Sequence, residues 1–237
     1  QGANGSWTTS EIAGGFPALA DVAVAANGTP ITAFRANGGA IRVKVGSGSA
    51  ETVPFTTESF AVGLSLVAGA SSWEAIVVQD GGLHVLSPST PQATLPDFSA
   101  ESVAACDPWA SSGCQGPCAE SGGGAVGAPV AFGVEDGLVI VLLERTVDRV
   151  GHFEEGECSE AGCACAFVVD EDRSVGDLVA IRFDAATQAF EESVRIEIAR
   201  GYEALSLSTD QLGTDVAFAI ASQASVTFGV LDLLALP

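Results

Sequence analysis

The chain has 237 residues, 47% hydrophobic and 16% charged, which excludes a disordered chain and leaves enough apolar side chains for a sizeable core. Only 7% are aromatic and 28 are Gly, a mix of small and β-branched side chains that favours many short strands, so one all-β domain spanning residues 1–237 is expected. Thirty Asp plus Glu against nine Lys plus Arg give a formal net charge of -21, which argues against nucleic acid as a partner, because a polyanionic backbone would be repelled.

In chain order, a β-prone segment with Trp7 occupies residues 6–12, and then a pattern repeats five times. Each repeat opens on an aromatic residue: Phe16, Phe60, Phe98, Phe153 and Tyr202. A second strand follows at 30–34, 73–78, 129–134, 164–169 and 215–220, with Ala at a recurrent place. Polar turns such as Asn37-Gly38-Gly39 lead into third strands at 40–45, 83–86, 138–143, 178–183 and 225–230. Fourth strands are readable at 51–55, 92–95, 149–152 and 193–198, and the fifth repeat lacks one.

Residues 6–12 supply the missing strand. That is how a β-propeller closes, with the N-terminal strand completing the last radial sheet. The expected fold is therefore a five-bladed β-propeller, with blades at roughly 16–56, 57–97, 98–152, 153–200 and 201–237 plus 6–12. Small residues on the first strands, among them Ala18, Ala20, Ala23, Gly63, Ser65, Ala100, Ser102, Ala204 and Ser206, fit a narrow central channel. A β-sandwich has similar turn spacing but does not require the recurring Ala-Phe strand.

The runs Trp7-Thr8-Thr9-Ser10-Glu11-Ile12, Phe16-Pro17-Ala18-Leu19-Ala20 and Gly28-Thr29-Pro30-Ile31-Thr32-Ala33-Phe34 resemble the repeats of secreted bacterial β-propellers related to sialidase-like and lectin-like propellers. The resemblance implies the fold. It does not imply sialidase activity, because the aspartate-box turn and the arginine triad of sialidases are absent.

The cysteines form two groups, Cys106, Cys114 and Cys118, then Cys158, Cys163 and Cys165. Structural disulfides are expected; with three in each group, full oxidation requires a bridge between the groups. No Cys-x-x-Cys occurs, so redox and zinc sites lack their spacing. The cysteines, the absence of Met and the start at Gln1 together point to a secreted, periplasmic or cell-surface protein whose signal or anchor has been removed. No run of 18 apolar residues is present, so no transmembrane segment is expected. Asn4-Gly5-Ser6 and Asn27-Gly28-Thr29 match the N-glycosylation triplet.

The acidic stretch at 170–177 reads as a long hairpin turn, in which Asp170, Asp172 and Asp177 are candidate calcium ligands; no other cofactor is expected. The five aromatic openers should ring the channel mouth, where they either plug the blade interfaces or stack on a ligand, and Trp109 is a further candidate anchor. Trp73 is less constrained by the repeat. No catalytic residues are assigned. Asp21, Glu101 and Glu154 are the best available carboxylates, but their different offsets from the openers yield no matched acid and nucleophile. The expected function is a non-catalytic binding or scaffold module for a carbohydrate or protein ligand, with a five-bladed-propeller glycoside hydrolase as the alternative.

Overall fold

Alternating apolar residues and glycine turns produce short antiparallel strands wherever the two coincide. The computed structural model describes residues 19–56, 63–69, 72–79, 82–88, 93–95, 102–104, 117–134, 136–159, 162–200, 202–209, 215–222 and 226–232. All regular structure among them is β-strand. The segment 6–12, Phe16, Phe60, Phe98, Glu101, Cys106, Trp109 and Cys114 lie outside the described residues, as do the side chains of Cys158, Cys163 and Tyr202.

The first sheet is a meander of β1 (Ala20–Val24), β2 (Pro30–Arg35), β3 (Ala40–Val45) and β4 (Glu51–Thr56). The second repeats that order with β5 (Gly63–Ala68), β6 (Trp73–Gln79), β7 (Gly82–Leu86) and β8 (Ala93–Leu95). Both match the units expected from the repeat.

The region after residue 98 departs from the expected pair of four-stranded units. It forms one six-stranded sheet of β9 (Ser102–Ala104), β10 (Pro117–Val134), β11 (Gly137–Ser159), β12 (Gly162–Asp172), β13 (Val175–Asp184) and β14 (Ala189–Arg200). The reason lies in two places where a turn was expected and the ladder instead continues. Residues 144–148 contain no Gly or Pro, and Val147 is buried, so β11 runs straight through the boundary between the expected third and fourth strands. The acidic stretch is likewise not a hairpin. The Arg173 amide donates to the Asp148 carbonyl at 2.8 Å, the Ser174 amide donates to Asp172 Oδ1 at 2.9 Å, and the Asp148 amide donates to Ser174 Oγ at 3.3 Å. These bonds carry the chain across a short irregularity, and β12 and β13 pair end to end with the two halves of β11.

A last sheet contains β15 (Tyr202–Thr209), β16 (Asp215–Ser222) and β17 (Val226–Asp232), the three strands expected of the final repeat.

Sheets stack face to face through apolar side chains. On β6, Ala75 and Val77 pack with Ile31, Ile41 and Val43 of the first sheet, whereas Ile76 and Val78 pack with Ile140, Leu142 and Val179 of the six-stranded sheet. All four β6 residues are 0% exposed, so this strand reads as a continuous apolar run, the pattern of a strand covered on both faces. Full burial of each Val or Ile contributes about 1.5–3 kcal/mol.

β5 packs against β1 on one side and β10 on the other, and β10 reaches β15. Asp21 ties the first pair together: its Oδ2 accepts the Leu66 amide at 2.7 Å. Successive sheets stacked with their early strands adjacent are compatible with a β-propeller-like fold.

Candidate functional site

Three turns meet at one end of the first two sheets. In the β1–β2 turn the Ala25 amide donates to the Thr29 carbonyl at 2.9 Å, the Gly28 amide to the Ala25 carbonyl at 2.8 Å, and the Thr29 amide to Asn27 Oδ1 at 2.9 Å. Gly28 has φ 81°, a left-handed conformation that glycine adopts at no steric cost. In the β3–β4 turn the Gly46 amide donates to the Pro30 carbonyl at 2.8 Å and the Gly48 amide to the Val45 carbonyl at 3.1 Å. The turn before β6 is closed by the Gly69 amide on the Ser72 carbonyl at 3.0 Å.

Trp73 opens β6 at this junction. It is half-buried, packs against the core shared by the first two sheets, and lines two adjoining hollows. The smaller, about 150 Å³, is walled by Ala25, Ile31 and Val45 with Asn27, Thr29 and Ser72 as polar groups. The larger, about 360 Å³, adds Ser49 and Glu51. Among the described residues, no Lys, Arg or His lines either hollow. Glu74, next in the chain, faces the other way by strand alternation, and burial pushes its carboxyl above the ordinary range. The site is thus an apolar floor with an indole, rimmed by an amide, hydroxyls and one carboxylate.

The other candidates are dispersed. Phe153 lies within β11, opposite Phe167, with ring centroids 5.7 Å apart, so it packs along a long strand and does not mark the entry to a new sheet. Asp21 is committed to the Leu66 amide and to the Val22 amide at 2.8 Å. Glu154 Oε1 lies 3.2 Å from His152 Nε2, on a different sheet from Asp21.

The three candidate calcium ligands do not converge. Asp170 and Asp177 lie seven positions apart along the β12–β13 line, roughly 20 Å at about 3.3 Å per residue. Each carboxylate has its own partner. Asp170 Oδ2 lies 2.8 Å from His152 Nδ1, Asp172 accepts Arg149 Nε at 3.1 Å, and Asp177 accepts Arg195 at 3.1 Å. Arg195 also pairs with Glu144, and Arg149 lies 3.8 Å from Glu120. Hydrogen bonds that His152 donates to Asp170 and Glu154 hold its pKa above the ordinary value. For Asp172, burial acts upward, but bonds from Ser174 and Arg149 outweigh it and hold the carboxyl below its usual value. Among the described residues, no group of three or more His, Cys, Asp or Glu side chains is placed to hold a metal ion.

Cys118 and Cys165 are both disulfide-bonded, and no described cysteine is free. They stand opposite Gly151 and Glu155 on the two sides of β11. Two ladder spacings, about 9.6 Å, separate those lines, beyond the roughly 7 Å that a disulfide spans between Cα atoms, so each is bonded to some other cysteine.

Trp73 was visible in the sequence as an unconstrained aromatic. Its companions Asn27, Thr29, Ser49 and Ser72 were not, because they read as ordinary turn residues until the sheets bring the turns together. No protein-family model matches this chain, and no curated protein matches its sequence. The resemblance to sialidase-like and lectin-like propellers gains nothing from either comparison.

Proposed function

We propose that this protein is an extracellular, non-catalytic binding or scaffold module whose ligand is a carbohydrate or another protein. The carrying observation is the Trp73 junction, where a half-buried indole is shared by two hollows and rimmed by turn residues. Turns on a rigid scaffold are where binding groups concentrate, since their sequence is free of the demands of core packing. Oxidised Cys118 and Cys165 support an oxidising compartment.

In architecture, the reading is a propeller closed by residues 6–12 beside β17, in which the six-stranded sheet stands where the third and fourth of five blades were expected. It is supported by the two four-stranded meanders and by a last sheet that, among the described residues, is one strand short of them. Valines at both ends of the stack favour closure: Val22 and Val24 on β1, and Val226 and Val230 on β17, are each more than 60% exposed. The non-catalytic reading is preferred over a glycoside hydrolase because Asp21 is spent on a backbone amide and Glu154 on a surface histidine. A glycan array combined with an aryl-glycoside hydrolysis assay tests this. Binding without turnover is expected, and turnover lost in Glu101→Gln would replace the module with an enzyme.

A further inference from the structure

We infer that the Trp73 junction binds an uncharged saccharide of at least two pyranose units, seated in the two hollows that the indole lines. This rests on the binding-module reading and assigns its ligand class and its site.

Chemistry at the junction selects for a sugar. A pyranose has a face of C–H groups and a perimeter of hydroxyls, and it needs an aromatic floor with hydrogen-bonding groups set around it. Trp73, Val45 and Ile31 supply the floor. Asn27 spends Oδ1 on the Thr29 amide, which fixes its side chain and directs the two Nδ2 hydrogens elsewhere. The hydroxyls of Thr29, Ser72 and Ser49 both donate and accept, and the Glu51 carboxylate accepts. An apolar ligand would leave this rim desolvated and unpaired, at a cost for each group.

Charge narrows the class. Glu51 lines the larger hollow, the whole chain carries -21, and no cation among the described residues lines either hollow. A uronate or other acidic sugar would meet repulsion with nothing to neutralise it. Size allows more than one unit: the larger hollow, about 360 Å³, reaches the few hundred Å³ typical of small-ligand sites by itself, and the smaller, about 150 Å³, adds room beside it. Because both share Trp73 and Val45, adjacent units of one chain would occupy them in succession.

The test uses intrinsic fluorescence. The protein has three tryptophans, so Trp7→Phe with Trp109→Phe leaves Trp73 as the sole indole. This double variant and the wild-type chain are titrated with cellobiose, lactose and chitobiose, and with a glucuronic-acid disaccharide. A saturable change in Trp73 emission with at least one neutral disaccharide is expected, with at least 10-fold weaker response to the acidic one. Calorimetry on Trp73→Ala, with its fold checked by circular dichroism, should show at least a 10-fold loss. Should Trp73→Ala fail to fold, Asn27→Ala in the exposed turn should still weaken binding several-fold.

Saturable binding of neutral glycans with unchanged Trp73 emission and full affinity in Trp73→Ala would overturn the site and leave the module reading intact. Silence from every neutral disaccharide would overturn the saccharide and leave a protein ligand for the module. Loss of binding in Trp109→Phe alone would move the site to that residue.

Discussion

The second sheet and the long β10–β13 ribbon use the same antiparallel pairing to opposite ends. β5 to β8 are short, and β5, β6 and β7 are buried over most of their length on both faces; β7 is buried along its whole length, while the edge strand β8 exposes Thr94. In the ribbon, β10 and β11 run 18 and 23 residues, and beyond the core the ribbon carries half-exposed valines, Val150 on β11 and Val169 on β12, and rows of alternating charge. Glu120, Arg149 and Asp172 stand side by side across three strands. Burial holds the first region together. Beyond its buried root, backbone pairing and cross-strand charge hold the second.

The largest expected effect sharpens this contrast. Ile76→Ala, at a side chain with 0% exposure between two sheets, should lower unfolding free energy by about 2–5 kcal/mol in urea titrations. Arg149→Ala in the ribbon should cost no more than about 1 kcal/mol, because its partners are partly solvated and salt screens them. Equal losses at the two sites would erase the distinction.

Next comes Gly137, at the root of the ribbon. An added Cβ there would collide with the Phe183 carbonyl oxygen of the neighbouring strand, so backbone must move. Gly137→Ala should cost about 1–3 kcal/mol by thermal unfolding, with Gly38→Ala, in open space but at positive φ, as the milder control.

The two histidines divide in the same way. His84 is buried in the second sheet, 4.9 Å by ring centroid from Phe55 and 3.1 Å from Thr94 Oγ1, and burial holds its pKa below 6.5. The unfolded chain therefore takes up the proton first. Stability from His84 is complete above about pH 6.5 and is lost as pH falls toward its lowered folded value. His152 has the opposite sign. Its raised pKa makes its contribution full below about 6.5 and lost as pH rises through the raised value. Melting curves between pH 5 and 8 should show a slope that His84→Gln flattens on the acid side, while His152→Gln changes far less because its ring is exposed to solvent. A larger effect from His152 would reverse the ranking of the two regions.

Where strand and turn signals coincide, the fold was legible. Asn37-Gly38-Gly39 and the alternation in β2 and β3 mark the first sheet, and the last sheet's three strands fall where the repeat puts them. The ribbon was not legible, because Phe153 and the acidic stretch at 170–177 look like punctuation. Whether such residues turn the chain depends on whether a neighbouring strand is there to pair with them, as Asp148 is for Arg173. The candidate site was legible only as one residue. Trp73 stood out by type, whereas its rim is assembled from turns about 20 and 45 positions distant, a juxtaposition that no local pattern encodes.

Val226, Phe228 and Val230 form a row of alternate positions on β17, and Phe228 is 78% exposed. Whenever the seam between β17 and the first sheet opens, a stripe of this kind makes molecules adhere, and what opposes adhesion in this chain is mutual repulsion among its carboxylates. Colloidal behaviour should therefore follow acidity: as pH approaches the sequence isoelectric point of about 4.1, that repulsion vanishes and the stripe is left unguarded. Light scattering should rise steeply there, and Phe228→Ser should delay the rise.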